Sequence, residues 1–199
     1  MKKLLLTSDG FVNPKIGQEF LALVGKKPID IKVLFVTTAS RVEKEKFYVK
    51  GSEKELIELG LAKENILWVE NLDNTEVEKY DVVYVCGGNT FYLMYEIRRT
   101  GFDKQIINFI NSGKVYVGVS AGSVIMGPTI LHVRNLDKND IGLKDMTGLN
   151  MTDKIILPHY KNEEEEKVKE FERENHCEVL RLPDGQASEV LREDARIIE

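Results

Sequence analysis

Val115-Tyr116-Val117-Gly118-Val119-Ser120-Ala121-Gly122-Ser123 sets an apolar run directly against a turn of small residues. The run is continuously apolar rather than alternating, which is how strands read when helices cover both faces of a parallel sheet. The small residues embed a G-x-S-x-G pattern between that strand and the helix-like Ser123 to Met126, the strand–turn–helix setting of a nucleophile elbow. Such a turn is sharp and strained, and bulkier side chains would clash around it. Ser120 then stands at the carboxyl end of the sheet. The Ala121 N–H would point into an oxyanion hole, and the helix N-terminus would favour developing negative charge. A plain strand–helix loop of small residues has the same letters, so the surroundings must decide.

Upstream, four more runs share the apolar character: Leu4-Leu5-Leu6, Val33-Leu34-Phe35-Val36, Ile66-Leu67-Trp68-Val69 and Val82-Val83-Tyr84-Val85. Helical patterns separate them. Ile16 to Val24 is one, and Val42 to Leu59 another, with Gly60 placed as a C′ glycine. Phe91 to Arg99 is followed by Gly101, and Phe102 to Ile110 closes with Asn111-Ser112-Gly113. This βαβ rhythm predicts an α/β fold built on a doubly wound, mostly parallel sheet. Downstream the pattern loosens. Asn135 to Asn150 reads as irregular structure or a small hairpin. Lys154-Ile155-Ile156-Leu157 reads as a strand ending at Pro158, Glu163 to Glu174 as a helix, and Val179-Leu180-Arg181-Leu182 as another strand. Pro183-Asp184-Gly185 reads as a turn, and Ser188 to Leu191 with Arg196 to Ile198 as a closing hairpin. No repeat or linker divides the chain, so residues 1–199 are expected to form one domain.

Composition narrows the functional classes. With 42% hydrophobic and 31% charged residues the chain reads as an ordinary globular protein rather than a disordered one. A net charge of -5 and a pI near 5.4 give no electrostatic footprint for nucleic acid. The run Glu163-Glu164-Glu165-Glu166 suits the exposed first turn of a helix. Two cysteines, Cys86 and Cys177, make neither a disulfide framework nor a four-cysteine zinc site, and are expected to be reduced. The apolar start Leu4-Leu5-Leu6 stops at Ser8-Asp9-Gly10, too short for a signal segment, and nothing reaches bilayer length. A cytoplasmic protein without membrane or nucleic-acid partners is the expectation.

A serine nucleophile needs a base, and the histidines are three: His132, His159 and His176. His159 follows a strand in Leu157-Pro158-His159-Tyr160, a loop position where open α/β sheets place ligands. His132 fits a packed or site-lining histidine, and His176 sits near a helix end, where the dipole favours it. His159 is therefore the preferred base. A second small-residue turn, Cys86-Gly87-Gly88-Asn89-Thr90, joins a strand to a helix. Its backbone N–H groups can face an anion or oxyanion, and Asn89 and Thr90 can orient a substrate or cap the helix. It lacks the spacing of a phosphate P-loop. Cys86 precedes the sharp turn rather than following it, a poor place for a nucleophilic thiolate.

Taken in order, Gly87-Gly88-Asn89-Thr90-Phe91, Gly118-Val119-Ser120-Ala121-Gly122, Gly127-Pro128-Thr129-Ile130 and Pro158-His159-Tyr160 resemble the motifs of the peptidase E family of serine peptidases. That family includes aspartyl dipeptidases, is related to cyanophycinases, and has a fold like that of class I glutamine amidotransferases. The resemblance implies a flavodoxin-like, three-layer αβα domain. It implies Ser120 as nucleophile, His159 as base, and the N–H groups of Gly88 and Ala121 as oxyanion hole, with no metal or cofactor. It also implies hydrolysis of small peptides, dipeptides with an acidic N-terminal residue among them, through an acyl-enzyme. The family's third triad member is an acid about fifteen residues beyond the serine, where it would orient the histidine. An ungapped count reaches Asn135, with Asp137 and Asp140 just beyond, and Asp137 is the favoured choice. The dipeptidases' basic segment after the histidine is replaced here by Lys161-Asn162 and four glutamates. Lys161, Arg134 and Arg41 are the remaining candidates for holding a substrate carboxylate. Two rival readings stay open on the same scaffold: a thiolate glutaminase, and a non-catalytic protein that binds a small molecule. Monomer and homodimer are equally compatible with the sequence.

Overall fold

The computed structural model of the protein describes residues 1–191 and 194–199. The strands in chain order are β1 (Lys3–Thr7), β2 (Val33–Val36), β3 (Ile66–Val69), β4 (Val82–Val85), β5 (Val115–Val119), β6 (Ile155–Pro158), β7 (Val179–Leu182), β8 (Ala187–Leu191) and β9 (Asp194–Ile198). The α-helices are α1 (Pro14–Val24), α2 (Glu43–Glu58), α3 (Thr90–Thr100), α4 (Phe102–Asn111), α5 (Ala121–Val124) and α6 (Glu165–Asn175).

Seven strands form one sheet in the order β3-β2-β4-β5-β1-β8-β9. The five from β3 to β1 run parallel, and β8 and β9 extend the sheet antiparallel as the expected closing hairpin. Successive side chains on a strand point to opposite faces. Leu5, Phe35, Tyr84 and Val117 therefore meet Ile16, Phe20, Val49 and Leu56 of α1 and α2 on one face. Leu4, Leu34, Val85 and Tyr116 meet Phe91, Ile97, Phe102 and Ile106 of α3 and α4 on the other. Both faces being covered explains the unbroken apolar runs, and the layering is the doubly wound α/β architecture read from the sequence.

The helix boundaries follow local chemistry. Asn13 caps α1 through a bond from Lys15 N–H, Pro14 opens the helix, and Gly25 closes it with φ of 67°. Asn89 caps α3 in the same way, accepting from Tyr92 N–H. Beyond a 3₁₀ turn over Leu131–Asn135, residues 136–150 hold no helix or strand among the described residues, apart from the isolated bridge between Thr129 and Thr147.

The strand at Lys154 departs from the simplest expectation. Rather than joining the large sheet, β6 pairs in parallel with β7 alone, and this two-stranded unit has its own small core of Ile155, Leu157, Val168 and Val179 against α6. Its carboxyl end is brought against the carboxyl end of β1, because His159 N–H donates to Ser8 Oγ at 2.8 Å. No helix among the described residues is long and apolar enough to cross a membrane.

Candidate active site

Ser120 adopts φ of 48° and ψ of -109°, a conformation that costs a non-glycine residue roughly 1–3 kcal/mol. The surroundings leave it no alternative. Its N–H donates to Thr7 O at 3.1 Å, continuing the pairing of β5 with β1. The buried Ser123 hydroxyl bridges Thr7 O and Gly118 O, both at 2.8 Å, and the buried Tyr116 hydroxyl donates to Gly122 O at 2.7 Å. A side chain at Gly118 would put Cβ 2.5 Å from Gly122 O, and one at Gly122 would put Cβ 2.3 Å from Val85 O. Both glycines of the G-x-S-x-G pattern are thus required by backbone closeness, and the serine is lifted clear of the sheet.

Four strands, two from each sheet, end at this point. Ser8 follows β1, Ser120 follows β5, His159 follows β6 and the Pro183-Asp184-Gly185 turn follows β7. The register Pro158↔Leu182 puts the last two side by side. His159 Nε2 lies 3.0 Å from Ser120 Oγ, and His159 Nδ1 lies 2.6 Å from Asp184 Oδ1. With Nδ1–H donated to the carboxylate, the Nε2 lone pair faces the serine hydroxyl, the arrangement that prepares a serine for attack. Ser8, wholly buried, ties the histidine and the acid together: its hydroxyl donates to Asp184 Oδ1 at 2.8 Å and accepts from His159 N–H. That bond holds His159 at its positive φ of 57°. Asp9 Oδ1 in turn accepts from Gly185 N–H at 2.9 Å and fixes the turn that carries Asp184.

Partial burial, the largest influence on Asp184, pushes its carboxyl upward. The hydrogen bonds from Ser8 and His159 outweigh it and leave the group below the ordinary aspartate range. Asp184 is therefore a carboxylate at neutral pH. It and His159 remain about half exposed, at 58% and 50% of their side-chain surface.

Asp137, the sequence-based choice for third triad member, is not brought to the histidine. Its Oδ2 accepts from Thr90 N–H at 2.8 Å, where the open N–H groups of α3 attract an anion. Asn135 lies on a short 3₁₀ turn, exposed, and Asp140 pairs with Arg41 at 3.0 Å. The carboxylate on Nδ1 comes from much later in the chain, and both Asp184 and Ser8 went unread as site residues. Their only local signal was a turn-forming Pro-Asp-Gly and a polar Ser-Asp-Gly at a strand end.

Gly88 and Ala121, the expected oxyanion donors, both line a cleft of about 180 Å³ with Ser120 and His159. Neither N–H meets a protein acceptor among the described residues. Gly88 reaches this position with φ of 136° and with Ala39 O where a Cβ would be, 2.2 Å away. Thr90 lines the same cleft. Asn89 spends its amide on the protein: Oδ1 caps α3 and Nδ2 donates to Lys138 O at 2.8 Å.

Cys86 is buried, and burial pushes its thiol well above the ordinary range, which argues against a thiolate nucleophile. His132 is half-buried, its Nε2 donates to Ile156 O at 2.9 Å, and desolvation lowers its pKa to about 4, so it is a neutral packed imidazole. His176 closes α6 with φ of 50°. Arg41 is engaged by Asp140, and Arg134 lines a separate groove against α6. No cluster of metal-ligating side chains occurs among the described residues.

On the other side of Ser120 and His159 opens a larger cavity of about 600 Å³, reaching from Ser8, Asp9 and Asp184 to Phe47, Tyr48 and Glu55 of α2. Ser120 thus stands between a small cleft with two free N–H groups and a roomy pocket.

Comparison with known proteins gives a consistent picture. Residues 4–198 match the model of peptidase family S51. The chain is 42% identical over 168 residues to an uncharacterized peptidase of Listeria monocytogenes, covering 81% of this chain and 80% of that one. It is 29% identical over 170 residues to peptidase E of a Nostoc species, covering 81% and 66%. The crystal structure of a protein from Listeria monocytogenes, described as a candidate peptidase E, superposes with a TM-score of 0.82 at 30% identity, covering 100% of this chain and 98% of the other.

Proposed function

Because the chain belongs to peptidase family S51 and is a peptidase, we propose that it hydrolyses small peptides by serine catalysis, with Ser120 as nucleophile, His159 as general base and acid, and Asp184 as the group that orients the histidine. One observation carries this reading: the continuous line from Ser120 Oγ through His159 Nε2 and Nδ1 to Asp184 Oδ1, with contacts of 3.0 and 2.6 Å.

As the Ser120 oxygen bonds to the peptide carbonyl carbon, its proton passes to His159 Nε2. The ionised Asp184 stabilises the imidazolium that results. The negative charge on the former carbonyl oxygen is taken by the N–H groups of Gly88 and Ala121, each donor contributing roughly 3 kcal/mol in sites of this kind. His159 then gives its proton to the departing amine as the C–N bond breaks, leaving an ester on Ser120. Water, deprotonated by the same imidazole, cleaves that ester and restores the serine.

The pocket charge argues against an acidic N-terminal residue as the preferred substrate. The larger cavity is lined by Asp9, Glu45, Glu55 and Asp184 against one cation, Lys44, and the candidate arginines point elsewhere. A buried thiol of raised pKa likewise speaks against a thiolate glutaminase.

The test is turnover of a dipeptide library by wild type and Ser120→Ala, with a neutral fluorophosphonate as reporter of the nucleophile. Ser120→Ala is expected to lose at least about a thousandfold in kcat while keeping its melting temperature. The fluorophosphonate is expected to label Ser120 in the wild type. Undiminished turnover in the variant, or label on another residue, overturns the assignment.

A further inference from the structure

The large cavity beside Ser120 is lined by four carboxylates against one lysine, Lys44, with Lys161 close enough to Asp184 to lower its pKa. Of its four carboxylates, Asp184 is engaged by His159 and Ser8, and Glu45 accepts from the N–H groups of Arg41 and Val42 ahead of α2. Asp9 and Glu55 are different. Each spends one oxygen on a backbone N–H, Asp9 Oδ1 on Gly185 at 2.9 Å and Glu55 Oε2 on Phe11 at 2.8 Å. Among the described residues neither has a lysine or arginine partner, and burial first, then neighbouring acids, hold both carboxyls above their ordinary range despite the backbone bonds. Partly buried carboxylates without a counter-charge are costly. They persist where a ligand supplies the missing charge.

A second observation concerns the polar lining of the same cavity. Its Ser52 and Glu55 come together around Gly10, where a Cβ would lie 2.8 Å from Glu55 Oε2 and 3.5 Å from Ser52 Oγ. The floor thus offers carboxylate and hydroxyl oxygens. The mouth is apolar, with Val12, Val42, Phe47 and Tyr48 all lining it and all largely exposed. An apolar mouth over an acidic floor fits an aliphatic stem that ends in a cation.

We propose that this cavity binds a positively charged group of the substrate close to the scissile bond, an ammonium or guanidinium received between Asp9 and Glu55. The inference rests on the serine-peptidase reading, because Ser120 is what makes the cavity a substrate pocket. The charge has two possible sources, a lysyl or arginyl side chain and the free α-amino group of a short peptide.

The experiment compares kcat/KM for Lys-Leu, Arg-Leu, Leu-Lys, Leu-Leu and Asp-Leu, and for Nα-acetylated Lys-Leu and Leu-Leu, on wild type, Asp9→Asn and Glu55→Gln. Both substituted amides can still accept the Gly185 and Phe11 N–H bonds. A lysyl or arginyl residue on one side of the bond is expected to raise kcat/KM at least tenfold over leucyl, mainly through KM, and each variant to shrink that factor at least fivefold. Preference that survives acetylation assigns the charge to the side chain, whereas loss of all turnover on acetylation assigns it to the α-amino group. Aspartyl substrates outpacing both lysyl and leucyl ones, or a cation preference that neither variant changes, overturns the inference. Labelling of Ser120 by the neutral fluorophosphonate separates the failures: labelled serine with neither a lysyl or arginyl preference nor a loss on acetylation sinks this inference alone, and unlabelled serine sinks the reading beneath it.

Discussion

The two halves of the proposed catalytic line are held in place by different physics. Ser120 belongs to the seven-stranded sheet, where backbone meets backbone: Gly118 against Gly122, Gly122 against Val85, and the Ser120 N–H on Thr7 O. His159 and Asp184 follow β6 and β7, strands whose Ile156 and Leu182 are buried in the core of the large sheet, but the two side chains themselves are placed by hydrogen bonds, chiefly to the Ser8 hydroxyl. One half is fixed by close packing that tolerates no added atom. The other rests on buried strands, but its two half-exposed side chains are set by hydrogen bonds to the buried Ser8. Packing of the first kind resists change until it breaks, whereas contacts of the second kind can be tuned one at a time. The difference predicts that damage to the elbow appears as lost stability and damage to the histidine arm as lost rate.

The largest effect is expected on the arm. Asp184→Asn keeps the size of the side chain but removes the charge that stabilises the imidazolium and favours the Nδ1–H tautomer. kcat is expected to fall about 10³–10⁴-fold, with the melting temperature within a few degrees of wild type. Asp137→Asn provides the contrast. Its carboxyl caps α3 at Thr90 N–H, a bond that an amide oxygen can also accept, so its effect on kcat is expected to stay within about tenfold. Steady-state kinetics on the two variants decide between them, and a larger loss in Asp137→Asn would return that residue to the triad.

Next in size is the elbow. Gly122→Ala forces a methyl to within 2.3 Å of Val85 O, a clash with backbone that no rotamer relieves. The expected cost is about 3 kcal/mol, or roughly 6–12 °C in melting temperature for a chain of this length. Thermal denaturation followed by circular dichroism measures it. A variant that melts like wild type, yet has lost turnover, would show that the elbow too is tuned rather than packed.

This contrast also explains what could be read from the sequence. The elbow was legible because its requirements are local: an apolar run, two glycines and a serine within nine residues from Val115 to Ser123 state the geometry unaided. His159 was legible from its place just after a strand. Asp184 was not, because Pro183-Asp184-Gly185 is the composition of any turn. Its meaning depends on Pro158 pairing with Leu182 across the small sheet, a long-range register with no local mark. The count forward from the serine instead reached acids whose business lies at the start of α3 and with Arg41. Ser8 was hidden for the same reason. It ends β1 at the start of the chain, and only the fold brings it to residues more than 150 positions away.

Ser8 therefore gives the finest test of how the arm is held. It touches no reacting atom and acts through His159 and Asp184, so it is a positioning residue. Ser8→Ala removes one donor from the Asp184 carboxylate and one acceptor from the His159 N–H. With a stabilising bond to the charged form gone, the Asp184 pKa must rise toward the ordinary aspartate value. The sign follows directly. A carboxylate whose folded pKa is depressed supports the site above its unfolded pKa and loses that support as pH falls through the folded pKa, so a rise in the folded value moves the loss to higher pH. In Ser8→Ala the acid-side fall of kcat/KM due to Asp184 is expected to begin at higher pH than in wild type, with kcat at neutral pH lowered about 10- to 100-fold. Ser8→Thr keeps the hydroxyl and should recover part of both. A pH profile for Ser8→Ala that superimposes on wild type would mean that the packed ends of β6 and β7 place His159 and Asp184 without the hydroxyl, and both halves would then be set by packing after all.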